Sequence, residues 1–175
     1  PALRSWWRPV AVRCGLGVVL LVPGYVALVE LKAHRESTFL ILLLFFLIWA
    51  ADIGAYFAGR AFGKRKLAPK VSPGKSWAGA VGGMLAALAV GTGMLAWRGE
   101  PELTDAAAGL FLLCCLAVAV VSIFGDLTVS LFKRERGVKD TSNLLPGHGG
   151  FLDRIDSLLS AAPLFVTFLI LGAFV

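Results

Sequence analysis

Residues 41–50 read ILLLFFLIWA, an unbroken apolar run inside a longer hydrophobic segment from about Thr38 to Phe62. A segment of about 20 mostly apolar residues is long enough to cross the hydrocarbon core of a bilayer as an α-helix. A helix is expected there because it satisfies its backbone hydrogen bonds internally, where no water is present to do so. The run therefore predicts a membrane-spanning helix.

Four further apolar segments are also predicted to span the membrane: about Cys14–Val29, Ser76–Trp97, Thr104–Phe132 and Arg154–Val175. The first is the weakest, because it is short and contains Pro23 and Gly24. A hydrophobic fraction of 58% and a mean hydropathy of +0.80 exclude an ordinary soluble domain. We predict an all-α polytopic membrane protein with about five transmembrane helices. Residues 1–175 would form a single integral-membrane domain.

The distribution of charge predicts how these helices are oriented. Of the 17 Lys and Arg residues, 14 precede the first span or lie in the connections between spans two and three and between spans four and five. With five spans, these three segments share one side of the bilayer, which the positive-inside rule makes cytoplasmic. We expect a multi-pass protein of the cell inner (plasma) membrane with a polar cavity facing the cytoplasm. The bilayer is the expected partner, and no nucleic acid is expected.

One stretch is too polar to be scaffold: residues 130–156 read SLFKRERGVKDTSNLLPGHGGFLDRID. The glycines around His148 prevent regular structure, and the N–H groups of such a backbone can approach an anion. Asp153 and Asp156 are three residues apart, which places both on one face at the start of the fifth span. Helix capping explains either acid alone. Together with a third acid and several bases, they favour a divalent-metal site, because Mg²⁺ combines carboxylates with phosphate oxygens and water.

The third acid is Asp126 in span four, on the same helical face as Ser122, Ser130 and Lys133. An ionisable residue inside a membrane span is a functional candidate by default. The same argument applies to Asp52 in span two. Tyr56 follows it by four residues on the same face, and a structural polar contact is the alternative for this pair.

The connection between spans two and three ends in Ser72-Pro73-Gly74-Lys75. We predict that Ser72 caps the third helix, that Pro73 opens it, and that Lys75 points from its first turn towards the same polar pocket. Further along, Gly79 and Gly83 have the spacing typical of closely packed membrane helices. A homodimer formed through this glycine-rich span is left open.

The polar stretch resembles the signature of the phosphatidate cytidylyltransferase (CDP-diacylglycerol synthase) family. The fixed positions of that signature are all present: Ser130, Lys133, Arg134, Lys139, Asp140, Pro146, His148, Gly149, Gly150, Asp153, Arg154 and Asp156. The likeness also covers Gly125-Asp126 and residues 52–79. The sequence departs from the family's pattern in two ways. It has Ala78 where the family often has Glu, and it lacks the additional N-terminal spans that family members have. We therefore expect the C-terminal catalytic part of such a protein.

The resemblance implies transfer of a cytidylyl group from CTP to phosphatidate, giving CDP-diacylglycerol and pyrophosphate in phospholipid biosynthesis. It implies Asp126, Lys133, Asp153 and Asp156 as catalytic residues, with the three acids holding Mg²⁺ and a second, monovalent cation left open. His148 would donate to phosphate or only fix the turn. Substrate phosphates would meet Ser72, Lys75, Ser130, Arg134, Lys139, His148, Gly149 and Gly150. Further candidates are Asp52, Tyr56, Asp140 and Arg154.

Two alternatives remain open from the sequence. The first is a CTP transferase that acts on another lipid phosphate, such as an archaeal ether lipid. The second is an ion-coupled transporter with Asp52 and Asp126 as intramembrane ion sites. Transporters usually bind ions near the midplane between internal repeats, whereas the charge here gathers at one face of the membrane and no repeat is visible.

Overall fold

The computed structural model describes residues 9–98, 105–142, 144 and 149–172. This part of the chain forms five α-helices and one antiparallel hairpin of two short strands. In chain order they are α1 (Val10–Ala33), α2 (Ser37–Phe62), β1 (Lys66–Ala68), β2 (Ser72–Ser76), α3 (Trp77–Arg98), α4 (Asp105–Glu135) and α5 (Leu152–Ile170). The predicted helical membrane fold is confirmed, with the hairpin as an addition.

Helices α1 to α4 are each long and apolar enough to cross a membrane. Helix α5 has 19 residues and carries three charged residues, Asp153, Arg154 and Asp156, near its start. It is nevertheless a packed member of the bundle, because Ala161, Ala162 and Phe165 are fully buried. The prediction of a short first span was wrong: α1 has 24 residues and continues through Pro23.

The core forms around one face of α2. The residues Leu40, Leu43, Leu44, Leu47 and Ala51 recur every three or four positions and are almost completely buried, as expected for the inward stripe of a helix. Cys114, Cys115, Val118 and Ala119 of α4 join the same core. Leu42, Phe46 and Trp49 on the outer face of α2 remain about half exposed, which suits a surface that meets lipid.

Small residues allow α2 and α3 to pack closely, as the glycine spacing predicts. A Cβ atom built on Gly83 would lie 2.6 Å from the carbonyl oxygen of Ala51, and one built on Gly54 would lie 2.6 Å from Ala86 Cβ. Neither glycine can be replaced without moving one of the two helices. The glycine face of α3 is therefore occupied within the chain, so it is not free to form the interface of a homodimer.

The connection between α2 and α3 corrects one prediction. Ser72 and Pro73 belong to strand β2, in which Ser72 pairs with Ala68 and Ser76 pairs with Lys66. Helix α3 begins only at Trp77, where strand pairing ends. The Ser76 hydroxyl then accepts a hydrogen bond from the Gly79 N–H at 3.1 Å, a bond typical of a helix N-cap. The prediction that Ser72 caps this helix and Pro73 opens it was therefore wrong.

The tight α2–α3 contact predicts a difference between two glycine substitutions in α3. Gly83→Ala should destabilise the protein by about 1–3 kcal/mol, because the added methyl group overpacks a closed interface. Gly93→Ala is the matched control, since no atom lies within 4 Å of its Cβ position and alanine favours a helix interior by about 0.5–1 kcal/mol. Thermal unfolding in detergent should show a lower midpoint for Gly83→Ala only. Equal midpoints would contradict the packing described.

Candidate functional site

A cavity of about 240 Å³ lies between α2, α4 and α5 and brings the predicted acids together. Its polar lining consists of Asp52, Asp126, Lys133, Asp153, Arg154, Asp156 and Ser157. Its remaining wall is apolar and formed by Phe45, Ile48, Trp49 and Leu158. We call it the acidic cavity, because four carboxylates share it with two bases.

A close helix contact at Gly125 builds one side of the acidic cavity. A Cβ atom at this position would overlap the Ser160 side chain and would lie 3.2 Å from the Asp156 carbonyl oxygen. Helices α4 and α5 can therefore approach each other only because residue 125 is glycine. Asp126 follows directly in the chain, and the contact places it on the same cavity as Asp156.

The second wall depends on an ion pair between Lys133 Nζ and Asp153 Oδ1, 2.8 Å apart, whose side chains are 15% and 7% exposed. The other carboxylate oxygen, Asp153 Oδ2, accepts hydrogen bonds from the Thr141 N–H at 2.9 Å, the Thr141 hydroxyl at 3.0 Å and the Gly150 N–H at 2.9 Å. Both oxygens are engaged, so Asp153 fastens the loop before α5 to the end of α4. The sequence did not predict this role of Thr141, because the role depends on the loop folding back towards Asp153.

A second ion pair crosses from the hairpin to α4. Lys75 Nζ lies 2.7 Å from Asp126 Oδ2, and it also donates to the Ile123 carbonyl oxygen at 3.3 Å. The other Asp126 oxygen, Oδ1, accepts from the Ser130 hydroxyl at 3.1 Å. Lys75 thus contacts one of the predicted acids, and it does so from strand β2 and not from the first turn of α3.

A smaller cavity of about 190 Å³ lies next to the hairpin. Its polar lining includes Tyr56, Lys75 and Ser76, and the rest of its wall consists of small and apolar residues. Asp52 lines both this cavity and the acidic cavity. The Tyr56 hydroxyl oxygen accepts a bond from Arg60 Nη1 at 3.4 Å. Among the residues that the structure describes, Asp52 has no ion-pair or hydrogen-bond partner. It therefore lies unpaired where the two cavities meet.

Four other predicted residues that the structure describes line neither cavity: Ser72, Arg134, Lys139 and Asp140. Arg134 Nε donates to the Val71 carbonyl oxygen at 3.3 Å, which ties α4 to the hairpin. Ser72 is half-buried in β2, and Lys139 and Asp140 are exposed.

The glycine turn is described only in part. His148 lies outside the described residues. Gly149 has a positive φ of 80°, a conformation that favours glycine. The Gly150 N–H, predicted to meet a phosphate, donates to Asp153 in this structure.

The carboxylates have the donor chemistry that Mg²⁺ prefers, but two of them are paired with lysines. Within the described ranges, no group of three His, Cys, Asp or Glu side chains is arranged to hold a metal ion. Asp156 is 7% exposed, and its Oδ1 accepts a hydrogen bond from the neighbouring Ser157 N–H at 2.7 Å. It has no lysine or arginine partner in the part of the chain described. The Mg²⁺ assignment to Asp126, Asp153 and Asp156 stays a prediction.

Comparison with known proteins gives a consistent result. Residues 5–171 match the family model described as the cytidylyltransferase family. The chain is 55% identical to a phosphatidate cytidylyltransferase of Haemophilus influenzae, over 85% of this chain and 54% of that protein. It is 53% identical to a phosphatidate cytidylyltransferase of Pseudomonas aeruginosa, over 93% of this chain and 58% of that protein. The chain thus spans about half the length of the curated relatives it matches.

The hydrogen bonds of Asp153 predict that its carboxylate orders the preceding loop. In Asp153→Asn the charge of Lys133 loses its partner and the Thr141 and Gly150 donors are bound less strongly. Trypsin cleavage after Arg136 or Lys139 should then become roughly tenfold faster, which corresponds to about 1.4 kcal/mol. Asp140→Asn is the control, since its exposed side chain makes no such bonds in the described part of the loop. Equal cleavage of both variants would show that Asp153 does not anchor the loop.

Proposed function

The chain belongs to the cytidylyltransferase family, and on that basis we propose that it carries the catalytic site of a phosphatidate cytidylyltransferase. The reaction is transfer of a cytidylyl group from CTP to phosphatidate, which yields CDP-diacylglycerol and pyrophosphate. The observation that best supports this proposal is the acidic cavity, where carboxylates and bases stand beside an apolar wall. Such a cavity suits a reaction between a water-soluble nucleotide and a membrane lipid.

The chemistry requires two anions to meet. A phosphate oxygen of phosphatidate attacks the α-phosphorus of CTP, a new P–O bond forms, and the bond to the β-phosphate breaks as pyrophosphate leaves. Phosphatidate is already an anion, so no general base is needed. Most of the catalysis must come from neutralising charge and from holding the reacting groups in line. Lys75 supplies positive charge beside Asp126 and Lys133 supplies it beside Asp153, while the exposed Arg134 and Lys139 lie nearer the surface.

We propose that the carboxylates around the cavity also hold Mg²⁺. Asp126 and Asp156 would bind it directly, and Asp153 would act directly or through water. When bound, Mg²⁺ would supply positive charge at the transferring phosphoryl group. The two lysines now paired with Asp126 and Asp153 would then be free to turn towards phosphate oxygens. A second, monovalent cation stays part of this proposal.

The proposed location is the cytoplasmic side of the cell inner membrane. The two main basic connections, between α2 and α3 and between α4 and α5, lie on one side of the bundle together with both cavities. The positive-inside rule assigns that side to the cytoplasm, where CTP is available. The names of the relatives do not favour either alternative drawn from the sequence, the ether-lipid acceptor or the ion-coupled transporter.

The reaction itself can be tested with the purified protein in lipid vesicles. With labelled CTP, phosphatidate and Mg²⁺, we expect labelled CDP-diacylglycerol on thin-layer chromatography. Removal of divalent cations with EDTA should abolish the product, and added Mg²⁺ should restore it. Absence of CTP-dependent product under conditions where the protein stays folded would refute the proposed function.

The carboxylate roles predict a pattern among four substitutions. Asp126→Asn and Asp156→Asn should lower kcat by roughly 100-fold or more, about 2.7 kcal/mol of barrier, with the Mg²⁺ dependence shifted to higher concentration. Asp105→Asn is the matched control, because Asp105 lies in the first turn of α4, the helix that carries Asp126 nearer its other end. If Asp153→Asn stays within about threefold of wild type, less than 1 kcal/mol, Asp153 is not a metal ligand.

A further inference from the structure

The β1–β2 hairpin and the end of α2 carry a group of bases without any acid. We call it the hairpin basic surface and define it by five exposed residues: Arg60, Lys64, Arg65, Lys66 and Lys70. The sequence contains no Asp or Glu from residue 53 to residue 97. In the described part of the chain, none of the five forms an ion pair with a carboxylate, and Arg60 donates only to Tyr56. The charge of this surface is therefore not paired with any carboxylate in the part of the protein that the structure describes.

Aromatic residues place the hairpin basic surface at the edge of the bilayer. Phe62 ends α2 and is 73% exposed, while Trp77 begins α3 and is 53% exposed. Tryptophan is enriched at the level of the lipid headgroups. The hairpin between them has strands of three and five residues, which reach about 17 Å at most at 3.3 Å per residue. Its bases therefore lie within about 17 Å of the level of the lipid headgroups.

We propose that the hairpin basic surface binds anionic headgroups of the lipids that surround the protein. Clustered bases next to a membrane-spanning helix attract anionic lipid, and each adds to the attraction when it lies near the membrane surface. The positive-inside rule explains why bases lie on this side of the membrane, but it does not require that acids be absent from a folded hairpin. The anions nearest to the hairpin basic surface are lipid phosphates, so charge complementarity favours bilayer lipid as its ligand.

Lipid binding at this surface would also hold Lys75 against Asp126, which lines the acidic cavity. Strand β2 carries Lys75, whose Nζ lies 2.7 Å from Asp126 Oδ2. On the other side, Arg134 of α4 holds the hairpin through the Val71 carbonyl oxygen. A hairpin fixed between lipid headgroups and α4 keeps Lys75 at the cavity. The binding itself does not depend on which reaction the protein catalyses.

Tryptophan quenching measures this binding without any activity assay. Trp77 is kept and the other four tryptophans are replaced by Phe, and the protein is placed in phosphatidylcholine vesicles. Brominated phosphatidylglycerol should quench Trp77 more strongly than brominated phosphatidylcholine at equal mole fraction. In the Lys66→Gln/Lys70→Gln variant, the apparent affinity for the anionic lipid should fall roughly tenfold. It should also fall in 1 M salt, where the Debye length is about 3 Å.

The control removes the same amount of charge from the other side of the bundle. Lys32→Gln/Arg35→Gln alters two exposed bases, one in the last turn of α1 and one in the connection that follows it, and should leave the quenching unchanged. Equal quenching by both brominated lipids, or an equal loss in both double variants, would overturn the proposal. So would removal of the excess quenching by millimolar pyrophosphate at constant ionic strength, since the surface would then hold a soluble polyphosphate. The unfolding midpoints of all variants are compared to verify that each is folded.

Discussion

The ion pair between Asp126 of α4 and Lys75, whose atoms Oδ2 and Nζ lie 2.7 Å apart, is the contact on which the rest of the site depends. A carboxylate in an apolar helix is stabilised by such a pair, because removing a charge from water is costly. This pair attaches the hairpin to α4. The pair of Lys133 with Asp153 attaches the start of α5 to the other end of the same polar face. The geometry of the cavity therefore depends on α4, to which both polar segments are fastened.

Small residues set the distances over which these charges act. Gly54 and Gly83 bring the backbones of α2 and α3 into contact, and Gly125 does the same for α4 and α5. Asp52, Asp126 and Asp156 then come from three different helices to a single cavity. In lipid, where the hydrophobic effect does not drive helices together, such close packing is a main source of association. The glycines therefore determine how closely the charged residues of neighbouring helices can approach each other.

Much of this arrangement could be predicted from the sequence, because its causes are local. Apolar length predicted the helices, and the spacing of Ser122, Asp126 and Ser130 predicted one polar face on α4. The hairpin was missed, since the run from Ser72 to Ser76 has no strand-like alternation and pairs with residues that precede it. Thr141 was missed for a similar reason: its two bonds to Asp153 exist only after the loop has turned back. The lysine–carboxylate pairs also depend on contacts between distant segments.

The polar first turn of α5 has a consequence for the biosynthesis of the protein. Charged residues near the centre of a helix oppose its insertion by about 2.5–3.5 kcal/mol each, and less near its ends. Asp153, Arg154 and Asp156 thus make α5 a weaker insertion signal than α4, whose most apolar window has a mean hydropathy of 2.7. Because α4 is synthesised first and offers Lys133 to Asp153, α5 can enter the bilayer against a neighbour that already compensates part of its charge. We therefore expect the two helices to insert into the membrane as one unit.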